Sequence, residues 1–393
     1  MDYGEVIKDL TSQGKFYINL GLERISELLK LLGNPQNSLK CIQVAGTNGK
    51  GSVCSMLASI LKEAGYNIGL YTSPHIFDYT ERIKINENQI PKGDFIQYYE
   101  LIIKTAQKHN IHLTEFEILT GIMFKYFYDN KVEYAIIETG LGGRFDATNV
   151  LKENICAIIT HIDLDHTDRL GDTKEKIAFE KAGIIKPNSF IITSEGYEVI
   201  KDKADELNSA FILTAPFVPP IYAEALSLKG VHQQENLALV LTAVKTLFRE
   251  ISEETILKGL KNTQNPCRFQ YIKEKNLLVD GAHNPDCMRV LRENIDIYFP
   301  NTKKQYIFGC LNTKDYKKMI EYIEMDSYIS NLYFYQFKNV NSMKYDDLKQ
   351  VCKNEPKELK TPNDIEYSDN ILTVICGSFY MINELIDKKE LGL

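Results

Sequence analysis

Residues 46–52 read Gly46, Thr47, Asn48, Gly49, Lys50, Gly51 and Ser52, between an apolar run at 41–45 and an apolar-periodic stretch at 51–64. The glycines allow a tight turn and close approach to an anion, and Lys50 adds a point charge. A helix starting there would aim its free N–H groups at phosphate. The order departs from the general phosphate loop G-x-x-x-x-G-K-S/T, because Val44 stands where the first glycine belongs and Gly51 where the hydroxyl belongs. A glycine-rich strand-to-helix turn that binds nothing would have the same composition, so the loop alone names no enzyme.

Further groups capable of chemistry follow other apolar runs. Thr72, Ser73, Pro74 and His75 follow 67–72, and Glu138 ends 132–138 beside a Gly-rich turn leading to Arg144, Phe145, Asp146 and Asn149. His161, Asp165, His166 and Asp168 follow 155–160. Glu138 could supply an oxygen to Mg²⁺ on a nucleotide, or be a solvated strand-end acid. His166 is a less natural magnesium ligand and could equally bond to Asp165 or Asp168. His161 and His166, five residues apart on a loop, make no zinc signature. Lys181 lies in a helix expected over 173–183, capped by Asp172 with Glu175 three residues on and ended by Gly183 and Pro187. Taken alone it reads as a surface or ion-paired lysine. Later come Arg268, and Asp280, His283 and Asn284 after a strand at 277–280, with Pro285 suited to the first position of the next helix.

Doubly wound α/β sheets gather ligands at the carboxyl ends of their strands. Strands are expected at 41–45, 67–72, 132–138, 155–160 and 189–193, and helices at 51–64, 94–109, 115–130, 173–183 and 197–208, then 233–248 and 253–260. Residues 216–229 read as loop with a possible short strand. A polar stretch from Asn262 to Cys267, containing Pro266, marks a boundary. Beyond it the rhythm restarts, with strands at 277–280, 305–309, 331–335 and 371–376 and helices at 286–298, 315–324, 343–352 and 379–389. The expected architecture is a larger α/β domain over 1–264 and a smaller one over 265–393.

The 393 residues are 44% hydrophobic and 25% charged, with formal net charge −7. No long basic run offers a nucleic-acid track, and no signal-peptide or membrane-spanning stretch stands out. Eight cysteines without a C-x-x-C pair read as buried thiols in a reducing compartment. A cytoplasmic protein that binds small molecules is expected, with no nucleic-acid or membrane partner, acting as a monomer.

In chain order these segments resemble the folylpolyglutamate synthases and dihydrofolate synthases of the Mur ligase superfamily of ATP-dependent amide-forming ligases. The matching stretches are 20–24, 46–52, 71–75, 79–82, 138–149, 165–168, 180–183, 232–236, 268–270, 280–285 and 377–379. The superfamily's loop G-T-N-G-K-x-S/T accounts for Gly51 ahead of Ser52. The resemblance implies a P-loop Mur-ligase-like central ATPase domain with a mostly parallel sheet, followed by a Rossmann-like α/β domain. It implies that Thr47, Asn48, Gly49, Lys50, Gly51, Ser52, Asn236, Arg268 and Asp280 bind ATP. Ser73, Glu138 and His166 would hold Mg²⁺ at two sites, together with Lys181 after carbamylation by CO₂. Asn19, Leu20, Gly21, Thr114, Glu115, Phe116, Glu117, Arg144, Phe145 and Asp146 would line the pterin side, and His283 and Ser378 the glutamate side. Lys50, Lys181 and His283 would be catalytic. The implied reaction adds L-glutamate to dihydropteroate, to the terminal glutamate of reduced folates, or to both, through an acyl phosphate, with closure near 262–267. A P-loop switch or transport ATPase, or a binding module with a degenerate site, would keep the loop but has no need of the 280–285 segment or of Lys181.

Overall fold

Eight short runs, most of them rich in Ile, Val and Ala, become one sheet: β1 (Lys40–Ala45), β2 (Ile68–Tyr71), β3 (Ile83–Ile85), β4 (Asn88–Gln89), β5 (Tyr134–Glu138), β6 (Cys156–Ile159), β7 (Phe190–Thr193) and β8 (Ala210–Leu213). Their spatial order is β4-β3-β2-β5-β1-β6-β7-β8, parallel except for the edge pairs β2–β3 and β3–β4. β1 is buried along Cys41–Ala45, as a strand covered on both faces must be. The one polar residue of that buried stretch, Gln43, donates its amide nitrogen to Thr148 Oγ1 at 3.2 Å. The chain leaves β1 toward β2 on one side and leaves β6 toward β7 on the other. The crevice between their carboxyl ends is thus a topological switch point, where a parallel sheet presents a ligand site.

Six later runs form a second sheet: β9 (Gln270–Ile272), β10 (Leu277–Asp280), β11 (Lys303–Phe308), β12 (Ile329–Tyr335), β13 (Lys357–Leu359) and β14 (Ile371–Cys376). The order is β13-β12-β11-β14-β10-β9, parallel except for β9 against β10. The computed structural model, which describes residues 1–12, 21–215 and 217–392, divides into two compact units. One comprises Met1–Ser227 and Gln234–Thr263, the other Leu228–Gln233 and Gln264–Leu393. The short segment Leu228–Gln233 belongs with the second unit because Asn294, fully buried there, accepts from Val231 N at 2.7 Å and contacts His232 Nδ1 at 3.2 Å.

Several elements differ from the sequence expectation. The stretch expected as loop or strand contains a helix, Pro220–Ala225, opened by a proline at its first turn and anchored by the buried Tyr222, whose hydroxyl donates to Glu253 at 3.0 Å. The helix carrying Lys181 spans Lys174–Ala182 and is capped by Thr173, which accepts from Lys176 N, and not by Asp172, which pairs with Lys176 Nζ at 2.7 Å. Gly183 does follow that helix, but with φ −60°. A Cβ there would lie 2.5 Å from Arg144 Cα, so the glycine serves close approach and not a left-handed turn. The helices expected at 343–352 and 379–389 shorten to Tyr345–Lys349 and Phe379–Leu385. Helices Tyr3–Ser12 and Glu23–Leu31 and strands β3, β4, β8, β9 and β13 are additional, all of them short or at an edge. Among the described residues no helix is long and apolar enough to cross a membrane.

Candidate active site

The loop after β1 is built by contacts with its neighbours. Gly49 has φ +92°, and a Cβ on it would come 2.3 Å from Asn236 Oδ1; a Cβ on Gly46 would come 1.8 Å from Thr160 Oγ1. Both positions therefore require glycine. The β6 end ties the loop down: Thr47 N donates to His161 O at 2.8 Å, Thr47 Oγ1 to Asp163 O at 2.9 Å, and Thr160 Oγ1 to Asn48 O at 2.7 Å. Lys50 opens the helix Lys50–Glu63 and folds back so that Nζ donates to Gly46 O and Thr47 O at 3.0 and 3.1 Å. Ser52 is buried in the first turn. A rigid, cationic cradle at a helix N-terminus results, suited to phosphate.

On the adjacent strand, β5 pairs with β1 so that Glu138 stands opposite Val44, 4% exposed, and accepts from Ser73 N at 3.1 Å. Glu138 and Ser73 are thereby joined at adjacent strand ends. His166 sits in a left-handed conformation (φ +50°) with Nε2 3.8 Å from Asp165 Oδ1, its side chain 43% exposed. Lys181 is 2% exposed, and its side chain has no hydrogen bond or ion pair among the described residues. Burial, then the Lys50 charge, drives its amine well below the ordinary lysine range, against a smaller opposing pull from Asp165. A buried amine near Lys50, without an ion pair among the described residues, is the reverse of the surface lysine that position 181 suggests in isolation. His161 meets Glu195 Oε1 at 3.1 Å, with Glu235 in the same cluster.

The residues expected on the pterin side divide. Asn19 and Leu20 lie outside the described residues. Gly21 precedes the helix Glu23–Leu31, where Arg24 pairs with Glu117 at 3.0 Å. Thr114 and Glu117 form a reciprocal capping box at the start of Glu115–Asp129, with bonds of 3.3 and 2.8 Å. Asp146 accepts from Gly140 N, Leu141 N, Thr148 N and Thr148 Oγ1, and burial nevertheless raises its pKa. Thr114, Glu117 and Asp146 thus hold the walls. Glu115 accepts from the Tyr79 hydroxyl at 3.0 Å, and Phe116 packs where a Gly140 side chain would be. Arg144 grips Glu180 with Nη2 at 2.7 Å and stacks between Phe145 and Phe179, both more than 40% exposed.

In the second unit, the carboxyl ends of β10 and β14 converge on Phe379. Arg268 Cζ lies 4.8 Å from its ring centroid, the His283 ring centroid lies 6.0 Å away, and a Cβ on Gly281 would strike it at 2.2 Å. Ser378 caps the helix Phe379–Leu385, and Asn284 caps Pro285–Tyr298 by accepting from Cys287 N at 2.8 Å. Asp280 accepts from Phe269 N and Ala282 N, both at 2.7 Å. Burial raises its pKa and the Arg268 charge works against that. Phe379 was present in the sequence motif without a role, because an aromatic beside a helix cap carries no chemical signature of its own.

A Mur-type loop at a switch point, a strand-end carboxylate and a buried lysine suit a nucleotide-dependent ligase. The family model of the Mur ligase middle domain matches residues 44–265. A Bacillus subtilis dihydrofolate synthase/folylpolyglutamate synthase is 33% identical over 416 residues, 94% of this chain and 95% of that protein. Escherichia coli FolC with DHPP and ADP superposes with TM-score 0.86 at 28% identity, covering 98% of this chain and 96% of that one. A bifunctional folylpolyglutamate synthase/dihydrofolate synthase with Mn, AMPPNP and L-glutamate bound gives 0.84 at 27%, covering 96% of each chain. The chain belongs to the dihydrofolate synthase/folylpolyglutamate synthase family of ATP-dependent ligases.

Proposed function

We propose that the protein joins L-glutamate to dihydropteroate, to a reduced folate that already carries glutamate, or to both, at the expense of ATP. The observation that carries this beyond nucleotide binding is Lys181, a buried amine with no partner among the described residues, in the same unit as an intact Mur-type loop. A switch ATPase has no use for such a group.

Residues 46–52 and Asn236 would hold the ATP phosphates, with Arg268 and Asp280 assigned to the nucleotide. The substrate carboxylate takes the γ-phosphoryl group to give an acyl phosphate. The glutamate amine then attacks the carbonyl carbon, and phosphate departs from the tetrahedral intermediate. Lys50 and the helix N-terminus stabilise charge on the transferring group, and the protein otherwise acts by positioning. Ser73, Glu138 and His166 offer hydroxyl, carboxylate and imidazole donors compatible with a divalent ion, which when bound would neutralise phosphoryl charge. Lys181 fits CO₂ capture because a neutral amine is the nucleophile that reaction needs, and its carbamate would turn a cation into an oxygen donor. His283, with Nδ1 2.8 Å from Gly281 O, and Ser378 are assigned to the incoming glutamate.

The test uses purified protein with ATP, Mg²⁺, dihydropteroate and glutamate. Phosphate release should require both co-substrates, and release independent of either one refutes the ligase. Replacing dihydropteroate with tetrahydrofolate separates one activity from two. Labelled bicarbonate should give a carbamate carbon resonance that is missing from Lys181→Ala.

A further inference from the structure

Arg82 ends the turn Tyr79–Arg82 just ahead of β3 and is 7% exposed. Its Nε donates to His75 Nδ1 at 2.9 Å, and its Cζ lies 5.3 Å from the Tyr79 ring centroid. Neither partner is an anion. Among the described residues no carboxylate pairs with Arg82, and neither terminal nitrogen of its fork makes a hydrogen bond. An arginine this buried ordinarily takes a carboxylate, because much of its solvation has been lost.

The acids close to it in sequence are committed elsewhere. Glu81 accepts from the backbone N–H groups of Ile76, Phe77 and Asp78 at 2.8, 3.1 and 2.9 Å. Asp78 accepts from Thr80 and from the Tyr3 hydroxyl, and pairs with Lys92 at 3.2 Å. The scaffold therefore fixes the arginine while leaving its charge unmatched.

Its position says which anion fits. Thr72 N donates to Arg82 O at 3.0 Å, and the next residue, Ser73, donates its N–H to Glu138. Arg82 is thus tied to the β2 end, beside the proposed metal ligands. In the strand order β3-β2-β5-β1 it stands three strand spacings, about 14 Å, from the phosphate loop. Its backbone is thus set apart from the loop, on the far side of the β2 and β5 ends. It lies on the side where Tyr79 meets Glu115, toward the expected pterin wall.

We infer that Arg82 receives the carboxylate of the pteroyl substrate that is to be phosphorylated, its planar fork presenting two N–H groups to the two carboxylate oxygens. The assignment rests on the ligase reading and adds a substrate-contacting residue to it. Arginine suits the task because bidentate geometry fixes the orientation of a planar anion as well as its charge.

The experiment compares equilibrium binding of dihydropteroate and of its carboxamide analogue, each with AMPPNP present, to the wild type, Arg82→Gln and Arg82→Lys. The wild type should prefer the carboxylate by about 10- to 100-fold. Arg82→Gln should lose that preference with AMPPNP affinity unchanged, and Arg82→Lys should keep part of it. An Arg82→Gln protein that retains the full preference overturns the inference. So does one whose loss is in AMPPNP affinity, since the arginine would then serve phosphate. If Arg82→Gln does not fold, Arg82→Lys with undiminished preference still overturns it. A wild type that ligates glutamate yet binds both analogues equally refutes this inference alone. A wild type that ligates neither pteroyl substrate refutes the ligase reading.

Discussion

Each unit buries a lysine, and the two are treated oppositely. In the second unit Lys304 is fully buried on β11 with Nζ 3.4 Å from Asp326, itself fully buried. Asp326 also accepts from the Tyr306 hydroxyl at 2.7 Å and from Tyr328 N at 2.9 Å, and lies 3.7 Å from Arg292. Every charge there has a counter-charge, as burial in a low dielectric requires. In the first unit Lys181 and Arg82, 2% and 7% exposed, have no ion-paired carboxylate among the described residues. Both stand at the end of the sheet where a parallel fold collects ligands. The contrast separates a lysine that holds the fold from one held ready by it.

The largest expected effect tests the unpaired side. Lys181→Met should lower ligation by about 10³-fold, the scale of losing a charged group from a metal-assisted transfer. Its melting temperature should not fall, since an amine with a desolvation cost has been removed. A clear drop in melting temperature with activity retained would make Lys181 structural. The paired side should behave in reverse: Lys304→Met leaves Asp326 short of a partner and should cost about 3 kcal/mol in denaturant unfolding of the second unit. Folded Lys304→Met should retain ordinary affinity for AMPPNP.

The smallest effect concerns His232. Burial, then the Arg268 charge, pushes its imidazole down to about 4 from 6.5, with Asp286 pulling the other way. Between those values the unfolded chain takes up a proton that the folded unit refuses. Stability should therefore decline as pH falls through this window, by about 2 kcal/mol. Unfolding curves at pH 7 and 4.5 should show a smaller decline for His232→Gln than for the wild type. Equal declines would mean that the histidine titrates normally.

Much of the fold was legible because its strands are buried on both faces and its helices are amphipathic. The two signals differ in period and composition, and β10 and β14 match their expected spans, 277–280 and 371–376. What escaped was short or marginal. β3, β4 and β13 have two or three residues each, too few to show a period, and Pro220–Ala225 sits among prolines that read as loop. The capping of the Lys174–Ala182 helix was misread because Asp172 and Thr173 both suit the role, and only backbone geometry chooses between them.

The sequence by itself determined the phosphate loop, the alternation that makes two α/β units, and the strand-end placement of Ser73, Glu138, His166 and Asp280, since each depends on residue type and local spacing. The tertiary structure decided which charges are paired. Lys181, Arg82 and Lys304 look alike in a linear chain, and their differences arise from residues tens of positions away, or from the lack of them. It also decided that Thr114, Glu117 and Asp146 hold the walls of the expected pterin side and that Gly183 exists for Arg144. Burial and pairing are relations between distant segments, and no local pattern of residues encodes them.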